Sequence, residues 1–377
     1  MPLTLGPGLV ITPGITFSPE PPEYKLYGWG TGNLGQLGLN AAGLFYKSSP
    51  TQVGTGTTWS SVDTSYGTTM AVKTDGTLWG WGYGYVGALG TNDQIDRSSP
   101  VQIGSLTNWS KVSVGQLFAA AIKTDGTLWL WGSQAYGKLG FNDLVNRSSP
   151  TQLGSATDWI SVSIGKSTSA AVKSTGTLWV WGRNNYGQLG QNSTTNRSSP
   201  TQLGSATDWT LVSSKSYGTS FAIKTTGTLW AWGKNGEGQL GLGDLILRSS
   251  PVQVGSDTNW SLVVANGYQS LAIKTTGTLW AWGQNYSGEL GLGDRTYRSS
   301  PAQVGTATNW SKVATGVSQS AALKTDGTLW TWGNGGQGGL GLNDIIARSS
   351  PTQVGTGTSW SLVAGSGGER TFFGISG

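Results

Sequence analysis

A tryptophan followed by glycine returns at positions 29, 81, 131, 181, 232, 282 and 332, so the chain repeats itself at intervals of 52, 50, 50, 51, 50 and 50 residues. A unit near fifty residues is too long for a leucine-rich repeat. It fits a four-stranded propeller blade, which buries both of its faces only by stacking on neighbours. Helical repeats are the competing solution, and strand signals decide against them: each unit splits into four short apolar runs separated by Gly, Asn, Asp, Ser and Pro. Around Trp282 the runs are Trp260–Val264, Ser270–Lys274, Thr278–Trp282 and Ala302–Val304. The Thr-Gly or Asp-Gly pair between the second and third runs predicts a tight hairpin, because Gly accepts the positive φ that such turns require. The expectation is an all-β, seven-bladed β-propeller of four-stranded antiparallel blades over residues 24–377.

Alternation in the third run puts Thr278, Trp280 and Trp282 on one face and Leu279 with Ala281 on the other. Radiating sheets diverge, and a flat side chain fills the widening gap between them. A further Trp opens the first run of each unit (Trp59, Trp109, Trp159, Trp209, Trp260, Trp310 and Trp360). Burying roughly 200 Å² per indole at about 25 cal/mol/Å² contributes at most about 5 kcal/mol each. A residue that recurs in every unit serves the scaffold, so the tryptophans read as packing rather than as a ligand cage.

The chain ends predict how the ring closes. The first unit starts at Tyr24 with YKLYGWG and lacks its own first and second strands, while the C-terminal WSLVAGSGGERTFFGISG matches those two strands. Trp360–Ser376 joined to Tyr24–Val53 makes one composite blade and removes the sheet edges that an open array would expose.

Stretches such as GTLWAWGQNYSGELGLGDRTYRSSPAQVG, with their Trp-Gly, Gly-Gln-Leu-Gly and Ser-Ser-Pro spacing, resemble the repeats of the regulator of chromosome condensation family, and the resemblance covers Tyr24 to Gly377. It implies a seven-bladed propeller. The namesake is a nucleotide exchange factor for a small GTPase and docks on chromatin. This chain carries neither a basic tail nor a wedge-like insertion in any unit, so no exchange residue is carried across.

Composition narrows the chemistry. With no cysteine and no histidine among 377 residues, disulfides, Ser-His or Cys-His nucleophiles, haem ligation and a conventional zinc cage are all excluded. No catalytic residue, metal or cofactor is assigned. Twelve of the 23 cations recur in register, as Lys73, Lys123, Lys173, Lys224, Lys274 and Lys324 and as Arg97, Arg147, Arg197, Arg248, Arg298 and Arg348. Evenly spaced charges make a ring and not a patch, which argues against nucleic acid despite the net charge of +5. Gly30–Gly35 and Gly82–Gly87 both satisfy G-x-G-x-x-G, yet each follows a strand into a loop with no helix, so a phosphate cradle is not expected. The Asp four residues before each Arg, as in Asp93 and Arg97, Asp244 and Arg248, or Asp294 and Arg298, reads as a loop staple. Ser193 stands there in one unit, and a calcium site would need more oxygens.

Function is sought where the units disagree. In an antiparallel meander the first-to-second and third-to-fourth connections emerge on one rim and the tight turns on the other. The tight-turn rim is monotonous. The loop rim varies and carries Tyr66, Tyr85, Phe118, Tyr136, Tyr186, Tyr217, Tyr268 and Tyr286, a set with the character of an interaction surface for a protein or a glycan.

Residues 1–23, MPLTLGPGLVITPGITFSPEPPE, match no repeat and hold six of the 13 prolines. They lack the basic start and unbroken apolar run of a signal peptide, and no segment is long enough to cross a membrane. An extended arm with Leu9, Val10, Ile11, Ile15 and Phe17 suits insertion into another subunit, so it reads as an anchor. Together these features predict a non-enzymatic interaction protein held to a larger assembly by its arm, with a bacteriophage virion decoration or fibre as the leading example and a virion location. The alternatives are a cellular, cytoplasmic regulator that binds a GTPase or other protein, and a carbohydrate-binding propeller.

Overall fold

Val-, Ala- and Trp-rich runs punctuated by Gly turns give 28 strands in a computed structural model that describes residues 23–41, 43, 45–215, 217–266 and 268–377. The five arm residues from Leu9 to Phe17 lie outside the described residues. The strands form seven four-stranded antiparallel sheets. Blade 2 is typical, with Trp59–Ser65, Thr68–Lys73, Leu78–Gly82 and Arg97–Gln102 running from the inside outward. The inner strands of blades 3 to 7 begin at Trp109, Trp159, Trp209, Trp260 and Trp310. Blade 1 is the composite expected from the chain ends. Trp360–Gly365 and Thr371–Ser376 pair onto Lys25–Thr31 and Tyr46–Gln52, with Lys25 opposite Ser376 and Gly30 opposite Thr371.

The core lies between the blades. Trp260, Ala272 and Trp282 of blade 6 pack against Phe221, Ile223 and Ala231 of blade 5. From the other face of the same sheet, Leu271, Leu279 and Ala281 pack against Trp310 and Trp332 of blade 7. The inner tryptophan of each third strand is wholly buried in all seven blades. In blades 2 to 7 its indole N–H also donates to a backbone carbonyl of the preceding blade, as from Trp282 to Gln239 at 2.8 Å and from Trp232 to Gln188 at 2.9 Å. Burying an N–H without an acceptor is costly, so each indole fixes the orientation of its neighbour as well as filling space. The glycines of the motif follow from this packing. Gly241 has φ +74°, and a Cβ there would meet the Trp282 ring nitrogen at 2.8 Å; at Gly283 (φ +100°) it would meet the Tyr268 carbonyl at 2.3 Å.

The fourth strand differs from the sequence reading. It spans Arg298–Gln303 in blade 6 and not merely Ala302–Val304. Ser299, Ser300 and Pro301 form an irregular stretch between the pairs Gly283–Arg298 and Ala281–Ala302. Proline is tolerated because this strand is the outer edge of its sheet and its partnerless side needs no donor.

Candidate functional site

The two rims use their residues differently. On the tight-turn rim the repeated lysine lies over two tryptophans, with Lys274 Nζ 4.0 Å from the Trp280 ring centroid and 4.7 Å from that of Trp260. Six blades carry this sandwich. In three of them an Asp (Asp75, Asp125 or Asp326) takes the N–H and O–H of the Thr two residues on, and those hydrogen bonds hold its carboxyl below the usual range. Every repeated charge there is spent within the rim, and Lys173, Lys224 and Lys274 also pair with Asp158, Asp208 and Asp257.

The loop rim holds the individual residues. Tyr85, Tyr136, Tyr186 and Tyr286 are exposed by 51, 47, 38 and 68%, enough for a partner to bury them. Tyr66, Tyr217 and Tyr268 are half-buried and meet one another. Tyr66 packs edge-on to Tyr217 at 5.9 Å, and Tyr217 stacks on Tyr268 at 5.9 Å with planes 9° apart. Phe118 does not belong to this surface. It is the first residue of strand Phe118–Lys123, wholly buried beside Leu139 and Ile164, because the turn before it consists of only Gln116 and Leu117 and Phe118 already pairs with Gly115 in the sheet.

The tyrosine cluster closes the axis of the ring. Tyr66 belongs to blade 2 and Tyr217 to blade 5, on opposite sides, and beneath them an ion pair between Lys215 and Asp63 spans the same gap. Asp63 also accepts the N–H of Thr64 at 3.0 Å and of Val114 at 2.7 Å. Gly368 of blade 1 lies under the Tyr66 ring, and Gly367 lies against Asn266 and Ser65. Loops from blades 1, 2, 5 and 6 can converge only over the axis, so these residues form a lid. Burial pushes the Tyr66 hydroxyl well above the usual tyrosine range, and it pushes the Glu369 carboxyl up as well.

Around the lid, cations lie over the aromatics. Lys166 is 4.6 Å from the Tyr217 centroid, Lys234 is 4.7 Å from that of Tyr268, and Arg183 is 4.7 Å from that of Tyr136. None of the three has a carboxylate in ion-pair reach among the described residues. Lys166, Arg183, Tyr186 and Tyr217 line one cleft at the junction of blades 4 and 5. The loop staples form as expected, as Arg97–Asp93 at 2.6 Å and Arg298–Asp294 at 2.6 Å, while Arg197, facing Ser193, turns instead to Gln191. Apolar pairs at the loop tips escaped the sequence reading: Leu144 and Val145, Leu245 and Ile246, and Ile345 and Ile346 are each exposed by 59% or more. Their signal is in the sequence, since they fill the two positions after the stapling Asp in three blades, where the turn uses only the backbone of the second residue. Among the described residues no group of three or more Asp or Glu side chains is placed to hold a metal, and no helix is long and apolar enough to cross a membrane.

A family model described as the RCC1-like domain matches residues 25–373. No curated protein sequence matches. Solved structures with the same fold include human WBSCR16, at TM-score 0.82 and 21% identity over 94% of this chain and 98% of that one. Prp20p from Saccharomyces cerevisiae aligns at TM-score 0.81 and 21% identity over 94% of this chain and 92% of its own. The same yeast protein in complex with Kap60 aligns at TM-score 0.82 and 19% identity, over 94% and 89%.

Proposed function

The chain belongs to the RCC1-like domain family, and from that premise we propose that it is a non-catalytic scaffold that docks a folded protein partner on its loop rim. The observation that carries this reading is the concentration of exposed tyrosines and unpaired cations on one rim, beside a second rim that is uniform. Tyr and Arg supply large contact area at low entropic cost, and Lys166, Arg183 and Lys234 favour an acidic face on the partner. Prp20p, similar in fold, binds Gsp1p and histones, so protein recognition has precedent on this architecture.

The experiment replaces Tyr85, Tyr136, Tyr186 and Tyr286 with Ala together and compares partner binding with that of Lys73→Met on the tight-turn rim. The loop-rim variant should lose the partner while melting like the parent. Retention by that variant, or loss by Lys73→Met, would sink the reading. Nucleotide-release kinetics with small GTPases test the regulator version, and a glycan array with the same variants tests sugar recognition.

The finer reading adds attachment. Residues 1–23 anchor the propeller in a larger assembly, a bacteriophage virion being the case its composition favours; it stands on the sequence alone. Deleting the arm should abolish incorporation and leave the propeller folded.

A further inference from the structure

The seven inner strands leave a channel along the axis, occupied by a cavity of about 310 Å³. Because these strands share one register against their second strands, their side chains form tiers. In the middle tier Asp63 is followed by Ser113, Ser163 and Ser213, and the facing wall is Val264, Ala314 and Ala364. Each serine hydroxyl accepts a backbone N–H from the next blade, of Ile164 at 3.1 Å, Ser214 at 2.9 Å and Ala265 at 3.4 Å. None of the three donates to any described residue. They are exposed by only 2, 6 and 5%, so three O–H donors border the cavity with no acceptor among the described residues. Buried polar groups are ordinarily satisfied, and here the acceptor must come from whatever fills the channel.

The two ends differ. The lid closes the loop-rim end, where Lys215 lines the cavity. Toward the tight-turn rim, Leu211, Leu262 and Leu362 line it and are half-buried. In the same register position, Lys111 and Lys312 are exposed and reach across to the carbonyls of Ile160 and Ser361 on the neighbouring blades. Two cations at the open mouth raise the local concentration of anions. The one carboxylate lining the cavity, Asp63, is already occupied by Thr64, Val114 and Lys215.

We propose that the channel binds one small carboxylate with an apolar body, entering from the tight-turn rim. Its head takes hydrogen bonds from Lys215 and the serine hydroxyls, and its body lies against Val264, Ala314, Ala364 and the leucines. A few convergent donors in a largely apolar cavity of this size are what such a ligand requires. The site is independent of the loop-rim surface, and the two readings fail separately.

Calorimetric titration of the full chain with 4-phenylbutyrate tests it, with 4-phenylbutanol as the neutral counterpart. The acid should bind one to one and saturably, and the alcohol at least about 10-fold more weakly, as expected when a charged hydrogen-bond acceptor is lost. Ala314→Phe, which fills the channel, should abolish binding. The double variant Ser163→Ala with Ser213→Ala keeps the channel open but also removes the acceptors of the Ser214 and Ala265 N–H groups; provided it melts as a folded chain, it should weaken binding about 10-fold or more, and it serves if Ala314→Phe does not fold. The proposal is overturned if the acid shows no saturable heat up to about 10 mM, a generous ceiling for a specific site. It is overturned equally if the alcohol binds as well as the acid, or if the serine variant binds like the parent.

Discussion

The two rims are built from the same seven sheets, yet one is repeated almost residue for residue and the other differs at nearly every blade. On the tight-turn rim, Lys, Asp or Thr and Gly each answer a local demand that recurs in six of the seven blades: a cation over two indoles, a carboxylate or hydroxyl under a turn, a positive φ. On the loop rim, apart from the Asp–Arg staples, the demands are not repeated. Asp63 pairs with Lys215, Tyr66 with Tyr217, and Lys138 stands alone. Sequence uniformity therefore marks where the environments are equal, and divergence marks where a residue answers to something outside its own blade.

The comparison can be broken first through the wall both rims share. Trp282→Ala removes a wholly buried indole and its hydrogen bond to Gln239, and should cost about 3–5 kcal/mol in denaturant unfolding. On the uniform rim, Gly277→Ala places a Cβ 2.0 Å from the Thr308 carbonyl at φ +73°. A loss of about 2–3 kcal/mol is expected there, because the backbone must shift and the new residue is strained. The divergent rim has one position of comparable weight. Lys215→Met leaves Asp63 buried without its cation and should cost about 2 kcal/mol, whereas adding Asp63→Ser, the residue three other blades carry, should restore most of it. A double variant as unstable as the single one would show that the pair does not couple.

An effect spread over several pH units sharpens the contrast next. Lys138 is buried against Phe118 with its ammonium on the Gln116 carbonyl, and desolvation pushes its pKa down to about 7. Between that value and the ordinary lysine range the unfolded chain holds the proton and the folded chain does not. Stability should therefore rise as pH rises from about 7 to about 10, by at most about 1.4 kcal/mol per unit. Lys138→Gln, the residue that Gln188 and Gln239 provide in other blades, should flatten that slope, and an unchanged slope would refute it. The smallest effect is expected at Tyr286, exposed by 68%, where Ala should change stability by less than about 0.5 kcal/mol and be felt only in partner binding.

Most of the scaffold was legible in the sequence because its signals are periodic and local. Strand order, the facing of Trp280 and Trp282 and the Asp–Arg staples follow from spacing within one unit, and ring closure at Trp360–Ser376 follows from matching the two ends of the chain to the repeat. What failed was local in another way. Phe118 reads as a loop residue because nothing in Gln116–Ala119 marks where its two-residue turn ends, and the fourth strand reads short because Pro301 looks like a breaker unless the strand is known to lie at an edge. The lid was out of reach: Asp63 and Lys215 are 152 residues apart in the chain, and only the closed ring brings them face to face. Lys215 was visible as the one charged residue at its register position, but not as half of a pair.

The composite blade carries a mechanical consequence. Lys25 and Ser376 are opposed at the same end of one antiparallel ladder, so tension applied through the two ends of the chain peels that ladder one rung at a time, without shearing it as a block. The ring should therefore open at its own seam under modest force, releasing the terminal strands while the other six sheets still hold their shape.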